Sequence, residues 1–427
     1  MAVFTVVSDS PQTEDLDRCV HCGLCLQACP TYRQLAVEMD SPRGRIYQMV
    51  QVSEGAAISD EYREHLDLCL ACRACETACP SGVEYGRLIE AARAEIESKT
   101  QRSWPVRVLR GFIFDRLLPS PALLTIAGSA LWLYQATGLQ SLVRATHVLS
   151  LFGLEDLEAL TPRAEAPFFF GQIGKTYPAH GERRYRVAML AGCIGSVSFA
   201  RLNEATVRVL QRNGCEVVIP AGQTCCGALH VHSGLPESAR PLARRNIDAI
   251  LDGGFDAVIS NAAGCGSTLK EYGHLLGHDH LYARKAERFV ALMKDATEFL
   301  AGIELNREMG AMKMRVTYQD SCHLAHGQKI RKAPRQLLAQ IPGIEFREMP
   351  MADVCCGSAG IYNVLQTEMA MRILDEKMAN VEAVQPDVIA TANPGCMLQL
   401  EAGVRRSGGK QRVMHVIELL DDAYSNL

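Results

Sequence analysis

The sequence predicts a helical, cysteine-rich N-terminal domain followed by two tandem α/β repeats, a mixed α+β and α/β architecture. The first observation is the run CVHCGLCLQACP at residues 19–30, which returns at residues 69–80 as CLACRACETACP. The second is that strand-like and helix-like segments alternate in the C-terminal half, which is typical of parallel sheets with helical crossovers. The third is a cysteine pattern that occurs twice in that half, as Cys193, Cys225-Cys226 and Cys265 and again as Cys322, Cys355-Cys356 and Cys396.

Composition places the chain among globular proteins. It has 427 residues, of which 48% are apolar and 22% are charged, and this length suffices for two or three domains. The formal net charge of -4 gives no electrostatic reason to expect a nucleic-acid partner. Most of the 17 cysteines lie at short gaps that suit metal ligation better than disulfides, so we expect a reducing compartment. The N-terminus carries no export signal, and a cytoplasmic location is expected.

Each N-terminal run has the form C-x2-C-x2-C-x3-C-P. Three closely spaced thiolates can surround one side of a [4Fe–4S] cube, and in two-cluster proteins with this run the fourth cysteine ligates the other cluster. The two runs therefore predict two neighbouring one-electron carriers with exchanged ligands. The first cluster is expected on Cys19, Cys22, Cys25 and Cys79. The second is expected on Cys69, Cys72, Cys75 and Cys29.

A pair of structural zinc sites is the alternative for these runs, because C-x2-C pairs also bind zinc. Zinc does not explain why both runs have the same spacing and the same final proline. Pro30 and Pro80 suit a change of chain direction after the exchanged ligand. The prediction is therefore iron–sulfur, with zinc as the alternative.

The segment SPRGRIYQ at residues 41–48 lies between the two runs, with Arg43 and Arg45 on either side of Gly44. We interpret it as a basic loop. Its charge could dock an acidic partner or raise the potential of a cluster, and an ordinary solvated loop is the alternative.

Residues 101–184 contain no cysteine, and residues 117–143 contain no charged residue. The uncharged stretch is long enough for a membrane-spanning helix, but two prolines and several polar residues dilute its hydropathy. The leading expectation is a helix or helical pair buried in the core. The alternative is packing on a partner or on a bilayer surface, which would suit Arg107, Arg110, Arg116 and Arg144. Residues 165–184 are expected to form an irregular connector.

The C-terminal half contains the same series of elements twice. In the first copy, buried strands are predicted at 185–190, 216–220 and 255–260, with helices at 199–214 and 236–251. In the second copy, strands are predicted at 314–319, 344–346 and 387–392, with helices near 332–340 and 366–382.

The repeated cysteines of this half follow directly after predicted strands. Because the carboxyl ends of parallel strands form the ligand site of such sheets, these cysteines are expected to meet. Four thiolates per repeat could hold an iron–sulfur cluster, hold zinc or act as a dithiol pair, and simple packing is the alternative. Gly227 and Gly357 would let the backbone approach a cofactor closely. The predicted cofactor-binding residues are Cys193, Cys225, Cys226, Cys265, Cys322, Cys355, Cys356 and Cys396.

Five further residues lie near these cysteines. Cys215 has no counterpart in the second repeat and is interpreted as a core residue. Histidines could ligate a metal or carry protons, but a supporting role through hydrogen bonds or caps is expected for each. They are His230, His232, His323 and His326.

These motifs, together with TCCGALHVHSG, NAAGCGSTLKEYG and VCCGSAGIYNVLQ, resemble the iron–sulfur subunit of bacterial glycolate oxidase, also called glycolate dehydrogenase. Subunits of lactate-utilisation and anaerobic glycerol-3-phosphate dehydrogenase systems are similar, and heterodisulfide reductase is similar more distantly. The resemblance covers the chain from about residue 15 to its C-terminus. It implies a two-cluster ferredoxin-like domain followed by two cysteine-rich repeats of the Cys-Cys-Gly type.

This sequence departs from the superfamily at one place. The superfamily repeat ends in C-x-x-C, whereas Thr268 and Gln399 stand here at the positions of the fifth cysteine. The resemblance associates the complete repeat with non-cubane clusters, so the loss puts such clusters in doubt. A conventional cluster, a zinc ion or an empty site are the alternatives.

The resemblance implies an electron-transfer subunit of an oxidoreductase complex that acts on 2-hydroxy acids. Flavin-binding partner subunits would oxidise glycolate to glyoxylate. This chain, with no catalytic residues and no flavin of its own, would carry the electrons to a membrane quinone as a peripheral protein on the inner face of the cytoplasmic membrane. No G-x-G-x-x-G follows a predicted strand, in agreement with that division of labour.

Two other functions remain as alternatives. One is the equivalent subunit of a lactate or glycerol-3-phosphate dehydrogenase complex, and the other is a zinc-stabilised scaffold without a redox role. The expected domains are a two-cluster domain at 1–100, a helical segment and connector at 101–184, and repeat domains at 185–312 and 313–427.

Overall fold

A computed structural model describes residues 9–146, 148–152, 158 and 161–426 of the chain. Within these residues the N-terminal part is helical, and the C-terminal part holds two separate sheets. This is the predicted arrangement of a helical domain followed by two α/β repeats. The domain boundaries themselves stay predictions.

The N-terminal domain consists of short helices joined by the cysteine loops. Its core packs Leu16, Met49 and Leu66 against Ile89, and Cys69 and Cys75 belong to the same packed group. The sulfur sites are therefore built on the domain core. The helices are Thr13–Leu16, Pro30–Leu35, Pro42–Ser53, Asp60–Asp67, Ala74–Ala78 and Tyr85–Lys99, with a 3-10 turn at Glu38–Asp40.

The interpretation of residues 41–48 as a loop is wrong, because they begin the helix Pro42–Ser53. The Ser41 hydroxyl accepts a hydrogen bond from the Gly44 backbone N–H at 3.0 Å, and Pro42 occupies the first helical turn. Gly44 packs against the Glu38 carbonyl, where a side chain would collide. Ser41 followed by Pro42 is a helix-start signal that the sequence contains. The neighbouring arginines and Gly44 favoured the interpretation as a loop instead.

The middle region forms a helical hairpin that is not buried, so the expectation of a core helix is wrong. Only Leu124 and Gly128 are buried in its long helix, where Gly128 packs against Val197 and Phe168. Among the described residues no single helix satisfies the length and hydropathy of a membrane span. Trp104–Leu117 and Pro121–Ala136 satisfy them together, but the pair is bent by 109°. The helices are Trp104–Gly111, Phe112–Leu117, Pro121–Ala136, Leu139–Thr146 and Val148–Phe152.

The connector is less irregular than expected. After the 3-10 turn Phe169–Gln172, strand β1 (Thr176–Tyr177) pairs antiparallel with β3 of the first repeat, with Thr176 opposite Val218. The connector thus adds an edge strand to the first sheet.

The first repeat contains β2 (Tyr185–Met189), β3 (Cys215–Val218), β4 (Ala257–Ser260) and β5 (Met293–Asp295). The sheet order is β1-β3-β2-β4-β5, and every pair after β1 is parallel. β2 is therefore a central strand: the chain continues from β2 to β3 on one side of it and then to β4 on the other side. The helices are Cys193–Ser198, Ala200–Arg212, Ala228–His232, Pro236–Ile250, Ala263–Lys270, Tyr272–Leu275, Ala283–Leu292 and Ala296–Ala301.

The second repeat contains β6 (Met314–Tyr318), β7 (Ile344–Phe346), β8 (Val388–Thr391) and β9 (Arg412–His415). Its parallel sheet has the order β7-β6-β8-β9. One core cluster contains residues from both sheets, so the repeats pack on a common core. The predicted strands and helices of both copies are confirmed. The helical segments are His323–Gly327, Lys332–Leu338, Tyr362–Leu365, Thr367–Val384, Pro394–Arg406 and Val416–Ser425.

Candidate metal centres

Both N-terminal cysteine loops have the same alternating backbone. His21 and Gly23 in the first loop, and Ala71 and Arg73 in the second, adopt left-handed φ angles of 53°, 83°, 50° and 63°. Alternation of this kind curls a loop so that successive N–H groups point inward, a geometry that favours anionic iron–sulfur sites. The Ala71 N–H donates to the Cys69 sulfur at 3.4 Å. The loops are therefore shaped to surround a negatively charged group.

One group of four sulfurs, here called the buried set, consists of Cys29, Cys69, Cys72 and Cys75. These residues line one cavity together with Arg45 and Tyr85. The cavity joins the last cysteine of the first run to three cysteines of the second, which is the grouping that exchanged ligation requires. Four thiols around one void are a suitable donor set for a [4Fe–4S] cluster.

Arg45 is the cation of the buried set, and its side chain is fully buried. Its guanidinium donates to the His65 carbonyl at 2.7 Å and to the Thr31 hydroxyl at 3.2 Å. It also lies 4.0 Å from the Cys29 sulfur and 3.4 Å from the Asp40 carboxylate. A buried cation beside four potential thiolates offsets the cost of burying their negative charge.

Burial raises the pKa of the Cys72 and Cys75 thiols well above the ordinary value, and neighbouring sulfurs raise them further. Without a metal these groups are protonated, and ligation must release the protons. Burial alone would lower the pKa of Arg45, but Cys69, Tyr85, Cys29 and Asp40 outweigh it and raise the pKa. Arg45 therefore remains charged in the cavity.

The other group of N-terminal sulfurs, here called the exposed set, consists of Cys19, Cys22, Cys25 and Cys79. Cys22 is exposed and the other three are partly buried. Burial raises the pKa of Cys19, and the charges of Cys79 and Cys22 add to the effect, which identifies these sulfurs as neighbours. Arg43 donates to the His21 carbonyl at 3.0 Å and forms an ion pair with Glu38 at 2.6 Å. The exposed set thus lies at the protein surface beside a paired arginine.

The eight cysteines of the repeats lie at the carboxyl ends of three neighbouring strands in each sheet. In each repeat the chain runs from a central strand to one neighbour and then to the other, the arrangement that creates a ligand crevice. The Cys193 and Cys225 sulfurs are 3.6 Å apart, and Cys226 is a neighbour of both Cys225 and Cys265. The same chain of contacts links Cys322, Cys355, Cys356 and Cys396. Gly227 and Gly357 follow the paired cysteines with φ of 83° and 92°.

Within the described ranges, no three His, Cys, Asp or Glu side chains lie in a position to hold a single metal ion. The positions of the missing fifth cysteines differ between the repeats. The Gln399 side chain accepts a hydrogen bond from the Asn363 amide at 3.0 Å and donates one to the Ala370 carbonyl at 3.5 Å. The Thr268 hydroxyl is buried and has no hydrogen-bond partner among the described residues. Whether each set of cysteines binds a metal stays a prediction.

The four histidines join the repeats to the rest of the chain, in the supporting role that was expected. His230 donates to the Phe114 carbonyl at 2.8 Å, and His323 donates to the Ala71 carbonyl at 3.1 Å. His232 shares a 2.8 Å hydrogen bond with Glu90, and His326 accepts one from the Thr77 hydroxyl, also at 2.8 Å. Three of these bonds lead to the N-terminal domain.

Cys215 is buried in the core of the first sheet, as predicted. The sequence did not identify three polar residues that lie beside the second repeat's cysteines, Ser321, Lys377 and Asn393. Lys377 could have been noticed, because it occupies an otherwise apolar face of the helix Thr367–Val384.

Comparison with known families agrees with this organisation. Residues 15–83 match the family described as "4Fe-4S dicluster domain". Residues 105–161 match "Glycolate oxidase iron-sulfur subunit, linker region", and residues 187–270 and 316–401 match "Cysteine-rich domain". The prediction of a two-cluster ferredoxin-like domain followed by two cysteine-rich repeats is confirmed.

Two relatives match nearly the whole chain, and a third matches about half of it. A probable glycolate oxidase iron-sulfur subunit of Bacillus subtilis (strain 168) is 44% identical over 417 residues, which are 96% of this chain and 94% of that protein. The glycolate oxidase iron-sulfur subunit of Escherichia coli (strain K12) is 36% identical over 412 residues, with the same coverage of 96% and 94%. Lactate utilization protein A of Geobacillus kaustophilus (strain HTA426) is 31% identical over 237 residues, only 55% of this chain. The chain therefore belongs to the family of glycolate oxidase iron-sulfur subunits.

Proposed function

We propose that this chain carries electrons from a flavin-binding partner, which oxidises glycolate to glyoxylate, to a quinone in the membrane. The names of the two relatives that match nearly the whole chain support glycolate as the substrate of the complex. When bound, each iron–sulfur cluster would accept one electron at a time, whereas a flavin can release two. The oxidation of substrate is assigned to the partner.

The observation that carries this proposal is the different placement of the two N-terminal sulfur sets. The exposed set reaches the surface at Cys22, and the buried set lies inside the protein at Cys72. The side chains of Val20 and Leu24, within the exposed loop, are 67% and 61% exposed. An uncovered apolar rim around a surface site suits a protein partner that delivers electrons there.

Purification without oxygen, followed by iron and sulfide analysis and EPR, tests the proposal. We expect at least about eight iron atoms per chain, the number that the two N-terminal sets would hold, with a matching amount of sulfide. A colourless protein that contains only zinc would favour the scaffold and end the electron-transfer account. The isolated chain should not oxidise glycolate, and turnover by the chain alone would contradict the assignment of catalysis to a partner.

The substrate is tested with the reconstituted complex. Glycolate, lactate and glycerol 3-phosphate are offered in turn, with reduction of the clusters as the readout. Fast reduction by glycolate is expected. Preference for lactate would favour the second candidate, for which the partial match to lactate utilization protein A is the supporting observation.

The proposed location is the inner face of the cytoplasmic membrane, held through the helical hairpin. Arg107 and Arg116 are exposed beside its apolar side chains, a combination that suits anionic headgroups. The exposed apolar residues are Trp104, Val106, Val108, Leu109, Phe112, Ile126, Trp132, Leu133, Leu139, Leu142, Val148 and Leu151.

Sedimentation with phosphatidylglycerol vesicles tests this location. The wild type should sediment with the vesicles, and the double variant Trp132→Asp, Leu133→Asp should remain in solution. Leu281→Asp is the matched control, because Leu281 is equally apolar and 79% exposed but lies in the first repeat. Equal sedimentation of all three proteins would contradict the proposed role of the hairpin.

A further inference from the structure

The two repeats present the same four sulfurs in different surroundings. The buried faces of the helices Pro236–Ile250 and Thr367–Val384 establish which positions are equivalent. Ala239, Leu242, Asn246 and Ile250 on the first helix correspond to Ala370, Ile373, Lys377 and Val381 on the second. A charged residue in the second repeat therefore replaces a neutral one in the first.

Lys377 is a buried cation beside the paired cysteines of the second repeat. Its side chain is 1% exposed, and its ammonium donates to the carbonyls of Met351 at 2.7 Å and Ala352 at 3.3 Å. Burial lowers the pKa of Lys377, and negative charge on the nearby Cys356, Cys355, Asp320 and Asp353 opposes that effect. The equivalent Asn246 is a neutral amide that donates to the Cys225 carbonyl at 3.0 Å. Of these two equivalent positions, only Lys377 supplies a positive charge.

One hydrogen-bond donor shows the same difference. Asn393 donates to the Cys396 sulfur at 3.4 Å. Counting from the nearest cysteine, the equivalent position in the first repeat is Ala262, whose side chain carries no donor. Hydrogen bonds to sulfur stabilise thiolate ligands and influence the potential of a cluster.

The two repeats also have different neighbours. Cys72 of the buried set packs in one apolar cluster with Cys355 and Cys322 of the second repeat. In the first repeat, Cys193 and Cys225 line a cavity whose other wall includes Leu118 and Pro121 of the hairpin. The second repeat therefore adjoins the buried set, and the first repeat adjoins the hairpin.

We propose that the second repeat holds a third iron–sulfur cluster on Cys322, Cys355, Cys356 and Cys396, and that the first repeat's cysteines remain thiols. The physical reason is charge. Four thiolates are costly to bury unless a cation and a hydrogen-bond donor compensate them, and Lys377 and Asn393 supply that compensation. The inference rests on the proposed electron-transfer function and adds a cluster next to the buried set.

The test compares equivalent variants of the full chain, prepared without oxygen. Cys356→Ser should lose iron and one EPR signal, while Cys226→Ser should keep the iron content of the wild type. Lys377→Met should lose the same signal or shift its midpoint potential, and Asn246→Met is the matched control that should do neither. The signals of the N-terminal clusters, retained in every variant, demonstrate that the chain has folded. Iron loss in Cys226→Ser equal to that in Cys356→Ser would overturn the inference.

Failure of the inference can be distinguished from failure of the proposed function. If the two N-terminal signals are present and no variant of the second repeat changes the iron content, the third cluster does not exist and the proposed function stands. If the wild type contains no iron at all, both fail.

Discussion

The two N-terminal sulfur sets come from the same twelve-residue motif but occupy opposite environments. Val20 and Leu24 are 67% and 61% exposed, whereas Leu70 and Ala74, at the same motif positions, are each 5% exposed. The difference arises because residues of the second repeat, including Tyr362, cover the second loop. Within the described part of the chain, the first loop is left uncovered. The same motif can therefore form a sulfur site at the surface or one in the interior, depending on which residues pack against it.

Removal of one ligand from each set should give the largest effect. Cys72→Ser should lose one cluster and much of the protein's stability, because metal binding in a buried site also stabilises the fold. Cys22→Ser should lose a different EPR signal and less stability. EPR and thermal unfolding of both variants provide the measurement. Equal loss of stability would contradict the distinction between interior and surface.

Arg45→Met tests the charge of the buried set. Loss of the Arg45 guanidinium leaves the Asp40 carboxylate without its arginine partner and the four sulfurs without a cation. We therefore expect the free energy of unfolding to fall by about 3–5 kcal/mol. The midpoint potential of one cluster should also fall. Arg43→Gln, beside the exposed set, is the control and should cost under about 1 kcal/mol, because its ion pair is partly solvated. Similar costs would contradict the account of Arg45.

Leu24→Glu tests the surface role of the exposed set. Reduction of the clusters by the flavin partner should slow at least tenfold, while reduction by dithionite should be unchanged. The free energy of unfolding should change by less than about 0.5 kcal/mol, because the side chain is exposed. Val364→Glu, an exposed apolar position in the second repeat, is the control. Normal reduction of Leu24→Glu by the partner would place the electron entry elsewhere.

The smallest effect concerns Glu90 and His232, which join the N-terminal domain to the first repeat. Burial raises the pKa of Glu90 from 4.5 to about 7 and lowers the pKa of His232 from 6.5 to about 4. As the pH rises from 4.5 to 7, the unfolded chain releases the Glu90 proton that the folded chain keeps, so this group's contribution to stability falls. The His232 contribution rises between pH 4 and 6.5, because only the unfolded chain binds its proton.

Glu90→Gln removes the Glu90 contribution to stability, which falls as the pH rises. The variant should therefore gain stability relative to the wild type as the pH rises through this window, as measured by urea unfolding at several pH values. A stability difference that does not change with pH would contradict the assignment of these pKa shifts.

The sequence predicted the features that depend on local pattern. The strands of both repeats were recognised from short apolar runs such as VAML, which precedes Cys193, and the grouping of Cys29 with Cys69 followed from the spacing of the runs. Burial in three dimensions was not predictable. The hairpin's long helix, Pro121–Ala136, is as apolar as a core helix, and only the packing of the whole fold determines that it is exposed.

Polar residues beside the sulfurs were missed for a related reason. Arg45 looks like a surface residue in SPRGRIYQ, and only the fold brings it into the cavity of the buried set. The importance of Lys377 depends on which face of its helix is buried, and that face is determined by the strands beneath it. Local pattern therefore identifies candidate ligands more readily than the residues that compensate their charge.

Exchange of ligands between the two runs is the central claim, and Cys79 tests it most directly. Cys79 belongs to the second run but is assigned to the exposed set with Cys19. EPR of anaerobically prepared Cys79→Ser should show loss of the signal that Cys19→Ser also loses, while Cys75→Ser loses the other. If Cys79→Ser instead loses the same signal as Cys75→Ser, each run holds its own cluster and the exchanged arrangement is wrong.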